Sequence, residues 1–366
     1  MSLSEFDAYR PAHEARRKKK RRNRAPGAGR RRGGGDGSRE MPMVDDVEFS
    51  DSYYGRHIVK APPWDDKITA YLFLGGVAGG SAMLGLGADA VGYDKLRRNM
   101  RLTALGGTIA GTVFLIVDLG RPERFHHMLR TFKPSSPMNM GTWILSSFGV
   151  GAGFAAAPEI DRMTGEKLPI GILRPISRAI EKPAGALAAL LGAPLASYTG
   201  ALLADTAVPT WNAAKDNLSY LFVSSASMAS SGVALMTTPT EQTRPARVLA
   251  TMGAASELYF SEKLTEPMHP AEAEPLQTGK PGKMLKWAKR LTIAGGIGAA
   301  LLSGNRVAAM ASGAALATAS YLTRSAVLNA GLNSTKEPHR VVEPQKARLE
   351  ARRAQGIVDD SITTVG

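Results

Sequence analysis

The sequence predicts an all-α integral membrane protein of about eight transmembrane helices, on three observations. The first is a series of apolar runs across residues 68–328, near 67–92, 101–119, 138–157, 184–207, 217–238, 246–262, 285–303 and 306–328. Most of them approach the roughly 20 residues that a helix needs to cross a hydrocarbon core of about 30 Å. The second is that most of these runs lack the polar stripe that the core helices of a soluble protein carry. The third is the spacing of small residues. Gly75/Gly79 and Gly76/Gly80 form overlapping G-x-x-x-G pairs in the first run, and Gly107/Gly111 repeat the pattern in the second. Small residues let backbones approach where lipid supplies no hydrophobic drive between helices. The same glycines do not make a phosphate-binding loop, because no strand precedes them and no lysine follows at the required place. The mean hydropathy of −0.12 hides all this by averaging over two polar ends.

Taken in order, residues 1–45 read as a disordered basic N-terminal tail. Its first forty residues hold thirteen Lys/Arg and five Asp/Glu, a net +8 of the total +14. Such a stretch cannot bury a core and repels itself. It suits an arm that touches anionic lipid. Without interleaved aromatics or a nucleic-acid fold, no nucleic-acid partner is expected from charge alone. No apolar stretch follows the basic run until residue 68, so it does not open a signal peptide. Residues 46–66, with Tyr53, Tyr54, His57 and Trp64, form an interfacial or partner-docking segment. The membrane domain covers 67–332. Its fourth and eighth runs are rich in Ala and Leu, and its sixth is short and carries Glu257. Residues 333–366 form a charged C-terminal tail, with a short helix expected at 343–355. Eight spans place both termini on one side, here side A, together with the connections at 120–137, 208–216 and 263–284. Side B takes 93–100, 158–183, 239–245 and 304–305. The basic arm assigns side A, and so the N-terminus, to the cytoplasmic face of a bacterial inner membrane.

The chain has no cysteine. It therefore offers no thiolate for an iron–sulfur cluster and no disulfide. None of its six histidines falls within a predicted span, so no haem and no metal centre is expected in this chain. The densest polar group is Asp118-Leu-Gly-Arg-Pro-Glu-Arg-Phe-His-His-Met-Leu129, set between the second and third runs. Ionisable groups near lipid are costly and mark functional sites. The topology gathers Tyr71, Asp118, Arg121, His126, His127, Tyr198 and Asp205 toward side A. A quinone needs such a place: hydrogen-bond donors for its ring carbonyls, a carboxylate or imidazole to pass protons, and an apolar groove for its tail. Plainer readings stand beside this one. Asp118 suits a helix-end ion pair with Arg121 or Arg124, Tyr198 suits packing with a satisfied hydroxyl, and His126 and His127 suit a solvated loop. Glu257 suits pairing with an arginine or a place on a proton route.

Four segments resemble the quinone-interacting membrane subunits of polysulfide reductase and related complexes, the NrfD/PsrC type. They are Tyr71-Leu-Phe-Leu-Gly-Gly-Val-Ala-Gly-Gly-Ser81, the Asp118–Leu129 stretch, Lys133-Pro-Ser-Ser-Pro-Met-Asn-Met-Gly-Thr-Trp143, and Ser197-Tyr-Thr-Gly-Ala-Leu-Leu-Ala-Asp205 with Pro209-Thr-Trp-Asn212 after it. They occur in the family's order over about 70–212. The resemblance implies a quinone pocket in an N-terminal four-helix bundle, built here from Tyr71, Gly75, Gly79, Tyr198, Asp118, His126, Arg121 and Asp205. It implies that Tyr198 is the site tyrosine and that Asp118 and His126 handle protons. Some members carry a histidine early in the first span, where this chain has Tyr71. The implied cofactor is a quinone, menaquinone ahead of ubiquinone. The implied partners are a ferredoxin-like iron–sulfur subunit and a catalytic, molybdopterin-containing subunit.

The function expected is thus the membrane anchor and quinone-binding subunit of a respiratory oxidoreductase complex. Formate dehydrogenase comes first by family association, with hydrogenase-linked, polysulfide, thiosulfate and nitrite reductase complexes as the other candidates. Two rivals remain. One is a proton-coupled secondary transporter or proton channel, although no internal repeat of the transporter kind is visible. The other is a pure scaffold subunit with a degenerate pocket.

Overall fold

The computed structural model describes residues 57–119, 121–167, 169 and 171–357. The basic tail at 1–45, Tyr53 and Tyr54, and the last nine residues lie outside the described residues. What is described is helical. Each of the eight expected runs is a long helix: α1 Asp66–Ala90, α2 Asp94–Asp118, α3 Pro137–Met163, α4 Leu173–Ala204, α6 Lys215–Thr237, α7 Arg244–Thr265, α9 Gly279–Leu301 and α10 Arg306–Ser334. Two short helices, α5 Pro209–Ala213 and α8 Pro270–Gln277, sit in side A connections, where a 3₁₀ turn, Pro122–Leu129, also lies. The helix expected in the C-terminal tail is α11, His339–Ala354.

Five helices are long and apolar enough to cross a membrane: α1, α2, α3, α4 and α6, with hydropathies of 1.2–1.6 over their best 18-residue windows. The other three, α7, α9 and α10, carry on average more Lys and Arg, yet present exposed apolar residues such as Val248, Met252, Ile297, Leu301 and Met310.

Three helices run well past their expected ends at side B. Residues 94–100, 158–163 and 173–183, expected in side B connections, continue α2, α3 and α4. The reason is pairing: these polar turns hold acids and arginines that meet one another at the bundle end, so the helices need not stop where the apolar run stops.

Consecutive long helices are antiparallel. The set α1–α4 forms one bundle, α6, α7, α9 and α10 form another, and α1, α4, α6 and α10 pack where the two meet. Glycine sets the closest approach. A Cβ built on Gly79 would stand 2.5 Å from the Gly192 carbonyl oxygen, and one on Gly192 would stand 2.5 Å from that of Gly79. The first bundle's α1 and α4 therefore touch backbone to backbone, the close packing that small residues permit in membranes. Trp64, from the segment before α1, stacks on Trp211 of α5 with centroids 5.4 Å apart. Trp211 is fully buried and donates from Nε1 to the Val327 carbonyl at 2.8 Å.

Candidate functional site

Two turns toward side A from the Gly79–Gly192 crossing, Tyr71 is buried on α1, and its ring lies against Gly111 of α2. Gly75, one turn from both Tyr71 and Gly79, is buried too, yet a Cβ built there would meet no heavy atom within 4 Å. Tyr198 on α4 is half-buried and lies flat against Gly141 of α3, where any side chain would collide with its ring. Both tyrosines join one apolar cluster that runs through the first bundle. No hydrogen bond joins either phenol to another described residue. At the same level the buried hydroxyls of Thr69 and Thr199 also lack a partner among the described residues. Buried hydroxyls are normally satisfied, so these two threonines are unusual.

Asp118 ends α2, half-buried. Its charged neighbours are Asp65 and Lys67 at the start of α1, and no salt bridge ties it to another described residue. Asp65 caps α1, accepting hydrogen bonds from Lys67 N at 2.7 Å and Lys67 Nζ at 2.8 Å. The bond from the Lys67 side chain is the main cause that holds the Asp65 carboxyl below its ordinary range.

The remaining expected site residues lie at the side A surface. Pro122 opens the 3₁₀ turn and directs His126 outward, exposed, with its ring 4.4 Å from that of His127. Arg121 precedes the turn, and Asp205 is exposed at the C-cap of α4. The structure thus brings Tyr71, Gly75 and Tyr198 into the bundle with Asp118 at its mouth. It does not bring His126, Arg121 or Asp205 to the two phenols, and Gly79 serves the helix crossing. A groove of about 520 Å³, lined by Met83, Leu84, Val91, Tyr93, Val248 and Met252 among others, lies toward side B. Met83 is twelve residues from Tyr71, about 18 Å along α1, so this groove is not the same place.

Two motifs have local structural work. Asn139 donates from Nδ2 to the carbonyls of Met128 (3.1 Å) and Thr131 (2.8 Å) and accepts from Lys133 N (2.7 Å). Trp143 Nε1 donates to the Thr131 carbonyl at 3.1 Å. Together they fasten the loop after the 3₁₀ turn to the start of α3. Thr210 donates to the Glu272 carbonyl at 2.8 Å and Asn212 to that of Ala204 at 3.2 Å, locking α5 in place.

Sequence reasoning missed a buried ion cluster at side B. Arg101, 5% exposed, pairs with Glu159 at 3.1 Å and with Glu181. Arg97 reaches Glu159 at 2.9 Å and Asp89 at 3.2 Å, and Arg162 reaches Glu181 at 2.6 Å and Glu159 at 3.1 Å. The signal was present: acids and arginines crowd the side B ends of α1–α4, where they are readily taken for loop charges.

Comparison with known families agrees with this architecture. Residues 57–254, more than half of the chain, match the family described as "Polysulphide reductase, NrfD". No curated protein matches the chain. The match takes in α1–α4 and α6, and with them Tyr71, Asp118, Gly141 and Tyr198. The chain belongs to the NrfD polysulphide reductase family, multi-pass membrane subunits of quinone-interacting oxidoreductase complexes.

Proposed function

We propose that this chain is the quinone-binding anchor of a respiratory oxidoreductase in a bacterial inner membrane, with its N-terminus in the cytoplasm and all eight long helices spanning. An iron–sulfur subunit would pass electrons between it and a molybdopterin-containing catalytic subunit. Formate dehydrogenase is the first candidate, on family association, and menaquinone the first quinone.

The observation that carries the reading is two phenols in the first bundle, Tyr71 and Tyr198, without a hydrogen-bond partner among the described residues, together with Gly75, one turn from Tyr71, where no atom fills the space a Cβ would take. Hydroxyl donors in an apolar helix bundle, near an open space of at least methyl size at Gly75, suit a quinone ring. When bound, a quinone supplies two-electron, two-proton chemistry. In this reading Tyr71 and Tyr198 orient the ring by donating to its carbonyl oxygens. Thr69 and Thr199 lie at the same depth as further donors. Asp118, half-buried at the mouth, holds and releases protons toward side A, and the exposed His126 and Arg121 extend that route or meet the electron-carrying partner. The apolar cluster around Tyr71 excludes bulk water from the ring.

The test uses the complex purified with its native partners. Tyr71→Phe or Tyr198→Phe should raise the KM for quinone about fivefold, the worth of one hydrogen bond of ~1 kcal/mol. Asp118→Asn should lower turnover with quinone. All three should leave the partner's activity toward an artificial dye intact. Unchanged quinone kinetics in all three would overturn the pocket. Isolation without an iron–sulfur partner or quinone would overturn the reading as a whole.

A further inference from the structure

The second bundle encloses two opposite charges that the quinone reading leaves unused. Glu257 on α7 is 2% exposed; the Thr323 hydroxyl of α10 lies beside its carboxyl, yet neither carboxylate oxygen accepts a hydrogen bond of ordinary geometry from a described residue. Arg324 on α10 is fully buried. Its Nη1 donates to the Leu72 carbonyl of α1 at 3.0 Å and its Nη2 to the Phe222 carbonyl of α6 at 2.7 Å. The guanidinium carbon lies 4.6 Å from the centre of the Phe222 ring, and Nε has no partner among the described residues. Gly76 makes this possible, since a Cβ there would stand 2.7 Å from Nη2. The Arg324 charge acts on Glu257, yet no direct ion pair joins them.

Other charges on the surrounding helices are engaged elsewhere or remote. On α6 none follows Asp216, and on α9 none follows Arg290. On α10 the one other charge, Arg306, donates to the carbonyls of Leu235, Met236 and Thr238 at side B. On α7 itself, Glu262 pairs with Lys289 of α9 at 2.7 Å, Lys263 pairs with Glu266, and Arg244 and Arg247 lie near the side B end. The charges of α1, Asp66, Lys67 and Asp89, sit at its ends. Glu257 is eight residues from the side A end of α7, about 12 Å deep. A packing role there needs no acid, and a carboxylate this deeply buried, with no cation bonded to it among the described residues, is expensive to keep permanently charged.

We propose that Glu257 is a proton-exchange site of the second bundle. Its carboxyl O–H bond breaks to give carboxylate and a proton that leaves toward side A, and the reverse step restores it. No electron moves. Arg324 acts as a positioning residue. It holds its charge near Glu257 while anchored to the backbone of Leu72, the neighbour of Tyr71. The proposal stands whether or not the first bundle binds a quinone.

The test is made on the full chain in its native complex with dicyclohexylcarbodiimide, which modifies protonated carboxyls in apolar surroundings. Mass spectrometry should find Glu257 modified, with modification falling as pH rises and absent in Glu257→Gln. Infrared pH-difference spectra should show a protonated-carboxyl band that Glu257→Gln removes and Glu257→Asp restores. Arg324→Lys should displace the pH profile of modification. Modification at Glu257 that is independent of pH would overturn the proposal. So would its absence at every pH together with identical spectra for wild type and Glu257→Gln.

Discussion

Gly75 and Gly79 are one turn apart on α1, both buried and both in the same sequence element, yet the structure gives them opposite roles. Alanine at each separates the roles. A Cβ on Gly79 would stand 2.5 Å from the Gly192 carbonyl oxygen and 3.3 Å from its carbon. These are backbone atoms of α4, which cannot rotate away, so α1 and α4 must separate. Overpacking of this kind costs about 1–3 kcal/mol. A Cβ on Gly75 would meet nothing within 4 Å. There the substitution adds helix propensity, about 0.8–1 kcal/mol in favour of alanine. Gly79→Ala gains the same propensity, so the two variants should differ in stability by the overpacking cost, about 1–3 kcal/mol, with Gly79→Ala the weaker. Gly192→Ala meets the same obstacle from the other side and should match Gly79→Ala. The double variant should cost less than the sum, because helices already forced apart admit the second methyl cheaply. The assay is reversible unfolding of the purified protein in mixed micelles with increasing denaturing detergent, read by circular dichroism. If Gly75 borders the quinone, Gly75→Ala should keep its stability and raise the KM for quinone. Equal destabilisation by both alanines would refute the crossing geometry, and so would the reverse order.

Further expectations address other parts of the molecule. Arg101→Met strips a buried cation from Glu159 and Glu181. Removing one partner from a buried pair costs about 3–5 kcal/mol, and the low end is expected because Arg97 and Arg162 remain, measured by the same unfolding assay. Asn139→Ala removes three hydrogen bonds that fasten residues 128–133 to α3, so limited proteolysis should cut that loop faster without altering helix content. At α11, the hydrogen bond from Arg340 holds the Glu274 carboxyl below its ordinary value of 4.5. A depressed acid contributes stability that is present above that value and lost as pH falls through the folded one. Amide exchange in residues 339–354 should therefore stay slow, relative to the intrinsic rate, at neutral pH and lose protection below about pH 4.5, less so in Glu274→Gln, where the bond carries no charge.

The helical membrane architecture was legible because lipid imposes a length and a composition on every span. Helix ends were less legible. An apolar count stops near residue 101 in α2 and near 157 in α3, whereas Arg97, Arg101 and Glu159 satisfy one another and let the helices run on. Pairings between residues about 60 positions apart have no local signature. For the same reason Asn139 and Trp143 were read as family signature and not as loop fasteners. His126 was placed with the tyrosines by its depth along the chain, but Pro122 opens a turn that carries it to the surface. Arg324 left a trace that was passed over, since a single arginine in an otherwise small and apolar stretch is itself a marker of a buried polar site. Tyr71 and Tyr198 stood out because aromatic hydroxyls near span ends are conspicuous in so apolar a sequence.

The two ends of the first bundle differ in a way that bears on how protons would enter it. At side B, Arg97, Arg101, Arg162, Glu159 and Glu181 saturate one another, so that end is closed by ion pairs whose opening would expose several unpaired charges at once. At side A, the hydroxyls of Thr69, Tyr71, Tyr198 and Thr199 have no described protein partners, and Asp118 stands half-buried without a salt bridge to a described residue. On the proposed reading a proton would enter more readily from side A, where these exchangeable groups have no partner among the described residues, than from side B, where the ion pairs would have to open. Arg324 adds to the same asymmetry. It holds the carbonyls of Leu72 and Phe222, each two turns or less from the side A end of its helix. Through its charge and its hydrogen bonds Arg324 thus links Glu257 of the second bundle to the α1 backbone at Leu72, the neighbour of Tyr71.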